Sequence, residues 1–267
     1  MVATCIVLIS IMIFFLILFA YTLFLVINRP IKKLYEIRLK QKDFCPISKM
    51  PKEFLEYIII LEDIHFYEHH GFSVEMIRKS AIVNFEAGRI IVGGSTITQQ
   101  LAKNLYLSFK KTYIRKIIEL FIAVYIEHVL SKEKILELYL NIIYFGMGKY
   151  GVVDAARFYF NKYIYDLTIN QMFVLASVIS SPTKGNPIQY PEMFETIKAA
   201  KIKTLIKKGG YTEERVAIFR AHKPPCIDEE LRKKDEYTEC FSKKTVLKNE
   251  RFGIQVALED FGVLIVK

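Results

Sequence analysis

Cysteine is scarce in this sequence, and no group of cysteines has the spacing of a metal site. The 267 residues contain four, namely Cys5, Cys45, Cys226 and Cys240. Because zinc-binding cysteines usually come as closely spaced pairs, this distribution argues against a zinc site built from thiols. Cys226 and Cys240 could pair in an oxidising compartment, and two free thiols are equally compatible with the sequence.

None of the first 28 residues has a charged side chain. Segment 6–27 is almost wholly apolar, and as a helix its 22 residues would be roughly 33 Å long, enough to cross a bilayer core. A cleaved signal peptide would have a basic residue ahead of a shorter apolar stretch and small residues at the cleavage site. None of these features is present, so segment 1–28 is predicted to be an uncleaved transmembrane anchor.

The basic residues next to this segment all follow it along the chain. They are Arg29, Lys32, Lys33, Arg38 and Lys40. The positive-inside rule alone therefore places the C-terminal part of the chain in the cytoplasm. The function inferred below requires the C-terminal part to lie on the opposite side of the membrane, and we expect that location despite the charge distribution.

Basic residues outnumber acidic ones, with 38 Lys and Arg against 28 Asp and Glu and a formal net charge of +10. Such a surplus favours anionic partners, which are nucleic acid, anionic lipid head groups or a phosphorylated substrate. A basic solvated surface would have the same composition, so charge alone does not choose among these possibilities.

The pattern along the chain is mainly helical. Segment 29–52 is basic and contains Pro30, Pro46 and Pro51, which indicates a connector. Segment 53–210 is predicted to form one catalytic domain, and residues 211–267 form an extension of unknown role. Helical spacing of apolar residues predicts helices at 73–86, 95–107, 112–130, 132–144, 170–179 and 197–208. N-caps are expected at Ser73 and Ser131, with a capping box at Thr168 and Gln171.

Segment 62–71 places three acids beside three histidines. His65 and His69 are four residues apart and could share a helix face, as zinc ligands do. However, Phe66 follows His65 where a metalloprotease helix has glutamate. A histidine-rich turn is therefore favoured over a zinc site.

Segment 93–107 crowds polar side chains behind a pair of glycines. On a helix, Gln99 and Lys103 lie one turn apart on one face, with Ser95 one turn before them. Hydroxyl, amide and ammonium groups suit a sugar phosphate, and the glycines let backbone N–H groups approach an anion at the start of the helix. An ordinary capped helix with a polar outer face is the alternative.

Segment 115–127 places Arg115, Glu119 and Glu127 on one helix face. In isolation, an exposed Arg115–Glu119 ion pair stabilises a helix by only a few tenths of a kcal/mol.

Together these segments resemble the monofunctional peptidoglycan glycosyltransferases, which share their catalytic domain with the class A penicillin-binding proteins. Five family motifs are matched in order over about residues 45–210. The first, E-D-x-x-F-x-x-H-x-G, runs from Glu62 to Gly71, and the second, G-x-S-T-I-T-Q-Q-L-x-K-N, runs from Gly93 to Asn104. The third, R-K-x-x-E, begins at Arg115, and the fourth resembles residues 135–141. The fifth resembles Ala155-Ala156 with Tyr159-Phe160.

The resemblance implies an enzyme that polymerises lipid II into glycan strands by inverting transfer of the growing chain from polyprenyl pyrophosphate to the GlcNAc 4-hydroxyl. It implies Glu62 as the catalytic base and Glu119 as a second essential acid. The residues expected to bind substrate are Ser95, Thr98, Gln99, Gln100, Lys103, Lys111, Arg115, Lys116 and Asn141. No cofactor is strictly required, although a divalent cation, Mg²⁺ or Mn²⁺, could accompany the pyrophosphate.

The implied fold is mainly α and lysozyme-like, with a head lobe and a jaw lobe behind a single transmembrane helix. The implied partners are lipid II, the growing lipid-linked glycan, the membrane, and transpeptidases with other cell-wall synthesis proteins, but not nucleic acid. The expected location is the cytoplasmic membrane, with the catalytic domain on its periplasmic or extracellular side. Residues 211–267 lack the Ser-x-x-Lys and Lys-Thr-Gly elements of penicillin-binding domains, so cross-linking is expected to come from another protein. A lysozyme-like glycan hydrolase and a non-catalytic lipid II-binding protein remain as alternatives.

Overall fold

The fold is built from α-helices, as the sequence predicts. The computed structural model describes residues 2–89, 93–107 and 112–221, and in these ranges it contains no strand beyond a single bridge between Tyr144 and Tyr150. The helices there are α1 (Val2–Asn28), α2 (Ile31–Leu39), α3 (Lys52–Glu62), α4 (Val74–Glu86), α5 (Ile97–Tyr106), α6 (Tyr113–Val129), α7 (Lys132–Ile142), α8 (Val152–Phe160), α9 (Ile169–Val178), α10 (Pro191–Gly209) and α11 (Glu213–Ala221). The mainly α fold class is thereby confirmed.

The described chain divides into two compact units. The first contains residues 2–36 together with the described part of 62–143, and the second contains residues 37–61 and 144–221. Two units agree with the head-and-jaw, lysozyme-like architecture that the resemblance implies.

Helix α1 is the one helix in the described ranges that is long and apolar enough to cross a membrane. Most of its side chains are exposed, but Leu18, Thr22 and Val26 are buried at intervals of four residues. This spacing forms a buried stripe along one helix face, and α1 packs against α6. Phe19 extends the contact edge-to-face onto Phe121, with the ring centroids 6.2 Å apart.

The core of the first unit forms where α5 packs against α6 and α7. Each helix contributes fully buried aliphatic side chains, among them Leu101, Ile122 and Leu136. Helix α6 begins at its N-cap Thr112, whose side chain accepts a hydrogen bond from the Arg115 backbone N–H at 3.1 Å. The N-terminal ends of α5 and α6 are thus fixed on one rigid core, which matters because both carry candidate site residues.

In the second unit, α9 is the central helix and packs against α8, α10 and α11. Phe173 on α9 stacks on Phe219 of α11 with the ring centroids 4.3 Å apart. The capping box that the sequence predicts at Thr168 and Gln171 is confirmed. Gly146 is needed here because its φ is +87° and a Cβ would lie 2.3 Å from the carbonyl oxygen of Pro182.

Several predicted boundaries differ from the structure. Helix α5 begins at Ile97 rather than at position 95, since Thr96 is its N-cap. Helix α7 ends at Ile142 rather than at 144, and Ile143 is extended. Helix α10 begins at Pro191, six positions before the predicted start, because proline is well suited to the first turn of a helix.

The segment predicted as a connector, 29–52, contains a regular helix. The backbone carbonyl of Pro30 accepts hydrogen bonds from the N–H groups of Lys33 and Leu34, and α2 follows. Proline here precedes a helix instead of interrupting one. The predicted helices also lack α3, α8 and α11, and Cys226 and Cys240 lie outside the described residues.

Candidate active site

The expected base, Glu62, lies at the end of α3 in a half-buried position. Its Oε2 accepts a hydrogen bond of 3.0 Å from Gln100 Nε2 on α5. Gln100 Oε1 in turn lies 3.0 Å from the hydroxyl of Tyr139 on α7. The carboxylate is therefore held by a chain of hydrogen bonds that reaches into the core of the first unit.

The histidine-rich turn after Glu62 is fixed by the neighbouring acid, Asp63. One oxygen of this buried carboxylate, Oδ2, lies 2.9 Å from His69 Nε2 and accepts the backbone N–H of Ile97 at 3.0 Å. The Gly71 backbone N–H donates to His69 Nδ1 at 3.2 Å, so this ring carries its proton on Nε2 and donates it to Asp63. A carboxylate at the first residue of α5 is also stabilised by the helix dipole. His65 contacts Glu68 instead, so the two histidines considered for zinc have different partners.

The N-terminus of α5 is closed by a capping box. Thr96 Oγ1 accepts the backbone N–H of Gln99, while Gln99 Oε1 accepts the backbone N–H of Thr96. Thr96 also donates its hydroxyl proton to the carbonyl of Gly71 at 2.6 Å. Gln99 is completely buried. The structure shows a capping role for Gln99, and the substrate role that its spacing suggested stays a prediction.

Thr98, another residue predicted to bind substrate, also lies in the interior. Its hydroxyl donates to Glu127 Oε1 at 2.6 Å, and Lys132 Nζ lies 2.7 Å from the same oxygen. Lys132 also donates to the backbone carbonyl of His69 at 2.6 Å and lies over the ring of Phe66. Thr98 thus belongs to a polar cluster that ties α5, α6, α7 and the histidine-rich turn together.

Cationic side chains gather around Glu119 on α6. Its buried carboxylate pairs with Lys116, one turn earlier on the helix, and lies 3.6 Å from Arg115 Nη1. Lys116 Nζ also donates to Ser95 Oγ at 2.7 Å, which links this cluster to the start of the second motif. Glu119 therefore holds two cations in place.

Lys103 lies within the same electrostatic environment. Burial lowers the pKa of its ammonium group below the ordinary 10.5, and the positive charges of Arg115 and Lys116 act in the same direction. The negative charges of Glu119 and Glu62 oppose this shift. Lys103 thus lies within electrostatic reach of two other cations and two carboxylates, and this surplus of positive charge favours binding of a further anion.

Comparison with known proteins gives the same assignment as the motifs. A family model described as transglycosylase matches residues 28–207. The chain belongs to the transglycosylase family. This match confirms the resemblance to peptidoglycan glycosyltransferase domains and covers every site residue named above.

Named relatives of this transglycosylase chain are penicillin-binding proteins. It is 41% identical over 179 residues to penicillin-binding protein 1A of Aquifex aeolicus, which covers 67% of this chain and 25% of the relative. It is 44% identical over 172 residues to penicillin-binding protein 1F of Bacillus subtilis, with 64% and 24% covered. It is 46% identical over 175 residues to penicillin-binding protein 1A of Vibrio cholerae, with 66% and 21% covered. The matched region is thus about a quarter of the length of these relatives.

Two residues of this transglycosylase that are predicted to bind substrate remain, namely Asn141 and Lys111. Asn141 is buried on α7, where its side-chain N–H donates to the carbonyl of Glu137 at 2.8 Å. Its placement is that of an interior residue, and its expected contact with substrate stays a prediction. Lys111 lies outside the described residues.

Tyr139 is the residue that sequence reasoning missed. The sequence shows it only as one letter of the fourth motif, in a helix whose apolar pattern predicts burial. A buried tyrosine needs a hydrogen-bond partner for its hydroxyl group, and this requirement indicates that Tyr139 contacts a polar group in the interior. The partner, Gln100, could not be read from the sequence because it lies 39 positions away.

Proposed function

We propose that this chain is a peptidoglycan glycosyltransferase that polymerises lipid II into glycan strands. The observation that carries the proposal is the joint position of Glu62, Glu119 and three cations in one unit of a transglycosylase-family chain. A reaction that joins sugars by releasing a pyrophosphate needs both a base and a cationic binding site. The first unit contains both.

Glu62 acts as the general base. An alcohol is a poor nucleophile, so the GlcNAc 4-hydroxyl of the acceptor must lose its proton as it attacks C1 of the donor sugar. The proton passes to the Glu62 carboxylate, a C–O bond forms at C1, and the bond from C1 to the pyrophosphate oxygen breaks with inversion. General base catalysis contributes about 10²–10⁴-fold to such steps.

The cations stabilise the leaving group. The departing polyprenyl pyrophosphate is an anion that needs positive charge more than a proton, and Lys103, Arg115 and Lys116 supply that charge. Arginine can bind phosphate oxygens in a bidentate manner, whereas lysine acts as a compact point charge. Glu119 keeps Arg115 and Lys116 oriented, since its carboxylate pairs with both.

No step of this reaction is assigned to a divalent cation, although Mg²⁺ or Mn²⁺ could accompany the pyrophosphate. Mg²⁺ sites in phosphate-binding enzymes use one or two carboxylates together with substrate phosphate oxygens. In the described part of the chain no group of three potential ligands occurs, and the carboxylate among the cations, Glu119, is already paired with Lys116 and Arg115. A Mg²⁺ or Mn²⁺ ion that accompanies the pyrophosphate would therefore meet Glu119 and the substrate's own phosphate oxygens.

The apolar helix α1 supports a location at the membrane, where the polyprenyl tails of donor and acceptor reside. Lipid II polymerisation outside the cytoplasm requires the catalytic domain on the periplasmic or extracellular side, in conflict with the positive-inside rule. A reporter enzyme fused to the C-terminus tests this orientation. Periplasmic or extracellular reporter activity supports the proposal, and cytoplasmic activity contradicts it.

The activity itself is tested with the purified full-length chain in detergent and two separate substrates. Lipid II should be converted into polymer that lysozyme digests, with release of polyprenyl pyrophosphate. Finished glycan strands should remain intact under the same conditions. Cleavage of finished strands would favour a glycan hydrolase, and binding of lipid II without turnover would favour a non-catalytic protein.

A further inference from the structure

Tyr139 is fully buried on α7, yet its hydroxyl group is connected to the candidate base through one side chain. Its Oη lies 3.0 Å from Gln100 Oε1, and Gln100 Nε2 lies 3.0 Å from Glu62 Oε2. Because α5 and α7 pack directly against each other, Gln100 and Tyr139 are held on two elements of one core. Tyr139, Gln100 and Glu62 thus form a continuous line of hydrogen bonds from the interior to the base.

The direction of each hydrogen bond in this line follows from chemistry. An ionised carboxylate only accepts hydrogen bonds, so Gln100 must turn its NH₂ group towards Glu62. Its amide oxygen then faces Tyr139, and the tyrosine hydroxyl must donate. Burial raises the pKa of Tyr139 well above the ordinary 10.0, and the charges of Glu62 and Asp63 add to this rise, so the hydroxyl keeps its proton.

Without the tyrosine hydroxyl, nothing in this line would fix the amide of Gln100. The terminal torsion of glutamine is broad and roughly two-fold, so the NH₂ group and the oxygen exchange places readily. In the reversed orientation the amide oxygen would face the carboxylate, which is an unfavourable contact. The Tyr139 hydroxyl selects the orientation that donates to Glu62.

We infer that Tyr139 is a positioning residue for the base, and that Gln100 transmits its effect by orienting Glu62. This assigns to Gln100 a role different from the substrate binding expected from its motif. The inference rests on the proposed function, because it concerns the proton transfer that Glu62 performs there.

The test uses Tyr139→Phe, Gln100→Ala and the double variant in the lipid II polymerisation assay with full-length protein. Each single variant should lower kcat on the order of 10- to 100-fold, as misplaced catalytic groups do, while KM for lipid II changes less than about twofold. The double variant should be no slower than Gln100→Ala alone, because Tyr139 acts only through Gln100. Multiplied effects in the double variant, or a rise in KM with unchanged kcat, would overturn the inference.

Tyr106→Phe is the matched control. Tyr106 is also buried in the first unit, and its hydroxyl donates to the backbone carbonyl of Arg29 at 2.7 Å. Its replacement removes a comparable interior hydrogen bond without touching the line to Glu62. It should lower stability to a similar extent as Tyr139→Phe and leave kcat within about twofold of the wild type. An equal loss of kcat in both variants would show a general structural effect and overturn the inference.

A second measurement separates this inference from the proposed function. Selective ¹⁵N labelling of glutamine side chains reports the Gln100 amide directly by NMR, with Gln100→Ala identifying its signals. In the wild type the chemical shifts of this NH₂ group should differ from those of solvent-exposed glutamines. Tyr139→Phe should move these chemical shifts towards the values of exposed glutamines. Unmoved signals would overturn the positioning role even if polymer is formed. Absence of wild-type polymer would overturn the proposed function while the amide signals still report the geometry.

Discussion

Lys132 lies 2.7 Å from the carboxylate of Glu127, in a pair that is mostly shielded from solvent. The same ammonium group donates to the backbone carbonyl of His69, and Thr98 donates to the same oxygen of Glu127. The pair thus anchors the turn that follows the candidate base. The sequence showed Glu127 only as an acid on the face of Arg115 and Glu119.

Loss of one member of this pair is expected to be strongly destabilising. Lys132 and Thr98 both donate to Glu127 Oε1. Lys132→Met removes the charged donor and leaves a buried carboxylate that still accepts from Thr98. Breaking a buried ion pair in this way costs about 3–5 kcal/mol. Urea denaturation of the detergent-solubilised protein measures the change. The double variant with Glu127→Gln should lose less than the sum of the two single variants.

The control for this pair is the exposed ion pair Glu75–Lys79 on α4, with 2.5 Å between the charged atoms. Lys79→Met should leave the free energy of unfolding nearly unchanged, since water screens exposed pairs. If Lys132→Met were no more damaging than Lys79→Met, the anchoring role of the buried pair would be disproved.

Gly71→Ala is expected to destabilise the first unit. Gly71 has a φ of +103°, and a Cβ would lie 2.9 Å from the backbone carbonyl carbon of Ala123 on α6. Backbone strain and steric overlap together should lower the free energy of unfolding by about 2–4 kcal/mol. Gly88→Ala serves as the control, because Gly88 has a φ of +62° but nothing within 4 Å of the added Cβ. It should cost only about 1–2 kcal/mol, and equal costs would contradict the close approach to α6.

Lys103 should make lipid II use sensitive to alkaline pH. Its pKa is lowered mainly by burial, so the ammonium charge is lost at a lower pH than in an exposed lysine. As pH rises through that lowered pKa, kcat/KM for lipid II should fall because the pyrophosphate loses a cation. Lys103→Arg should remove this alkaline fall, since arginine stays charged.

Lys103→Ala should lower kcat/KM at neutral pH by about 10²-fold, the effect of removing one group that stabilises developing negative charge. Its stability should change far less. Lys207→Ala is the control, since Lys207 is exposed on α10. Unchanged rate and affinity in Lys103→Ala would refute the role of Lys103 at the pyrophosphate.

Glu119→Gln should reduce polymerisation by releasing two cations. The carboxylate of Glu119 pairs with Lys116 and Arg115, and the neutral amide removes the charge that orients them. We expect a fall in kcat on the order of 10²-fold. Glu133→Gln, at an exposed position of α7, is the control. Wild-type kcat in Glu119→Gln would mean that the cations need no such support.

The sequence was sufficient for the fold class and for most helices near the site. Apolar spacing and capping residues are local signals, so α4 with its N-cap Ser73 follows from its own letters. Pro30 was interpreted as part of a connector, although proline also fits the start of a helix such as α2. Local composition does not distinguish these two uses.

The burial of the side chains of α5 could not be predicted from the motif. Helical spacing correctly predicts which residues share a face, but it does not say whether that face meets solvent or another helix. Packing against α6 and α7 decides this, and it buries Thr98 and Gln99. The line from Tyr139 to Gln100 depends on the same long-range packing, so only the structure reveals it.

The most direct test of the account compares Glu62→Gln with Glu68→Gln in the lipid II polymerisation assay. Glu68 lies in the same turn, but its carboxylate is largely exposed and contacts His65. Both variants should fold, as judged by circular dichroism and thermal unfolding. Glu62→Gln should lose polymer formation by at least about 10²-fold, because no base takes the acceptor proton, while Glu68→Gln should retain wild-type yield. Normal polymer yield from folded Glu62→Gln would contradict the assignment of Glu62 as the base.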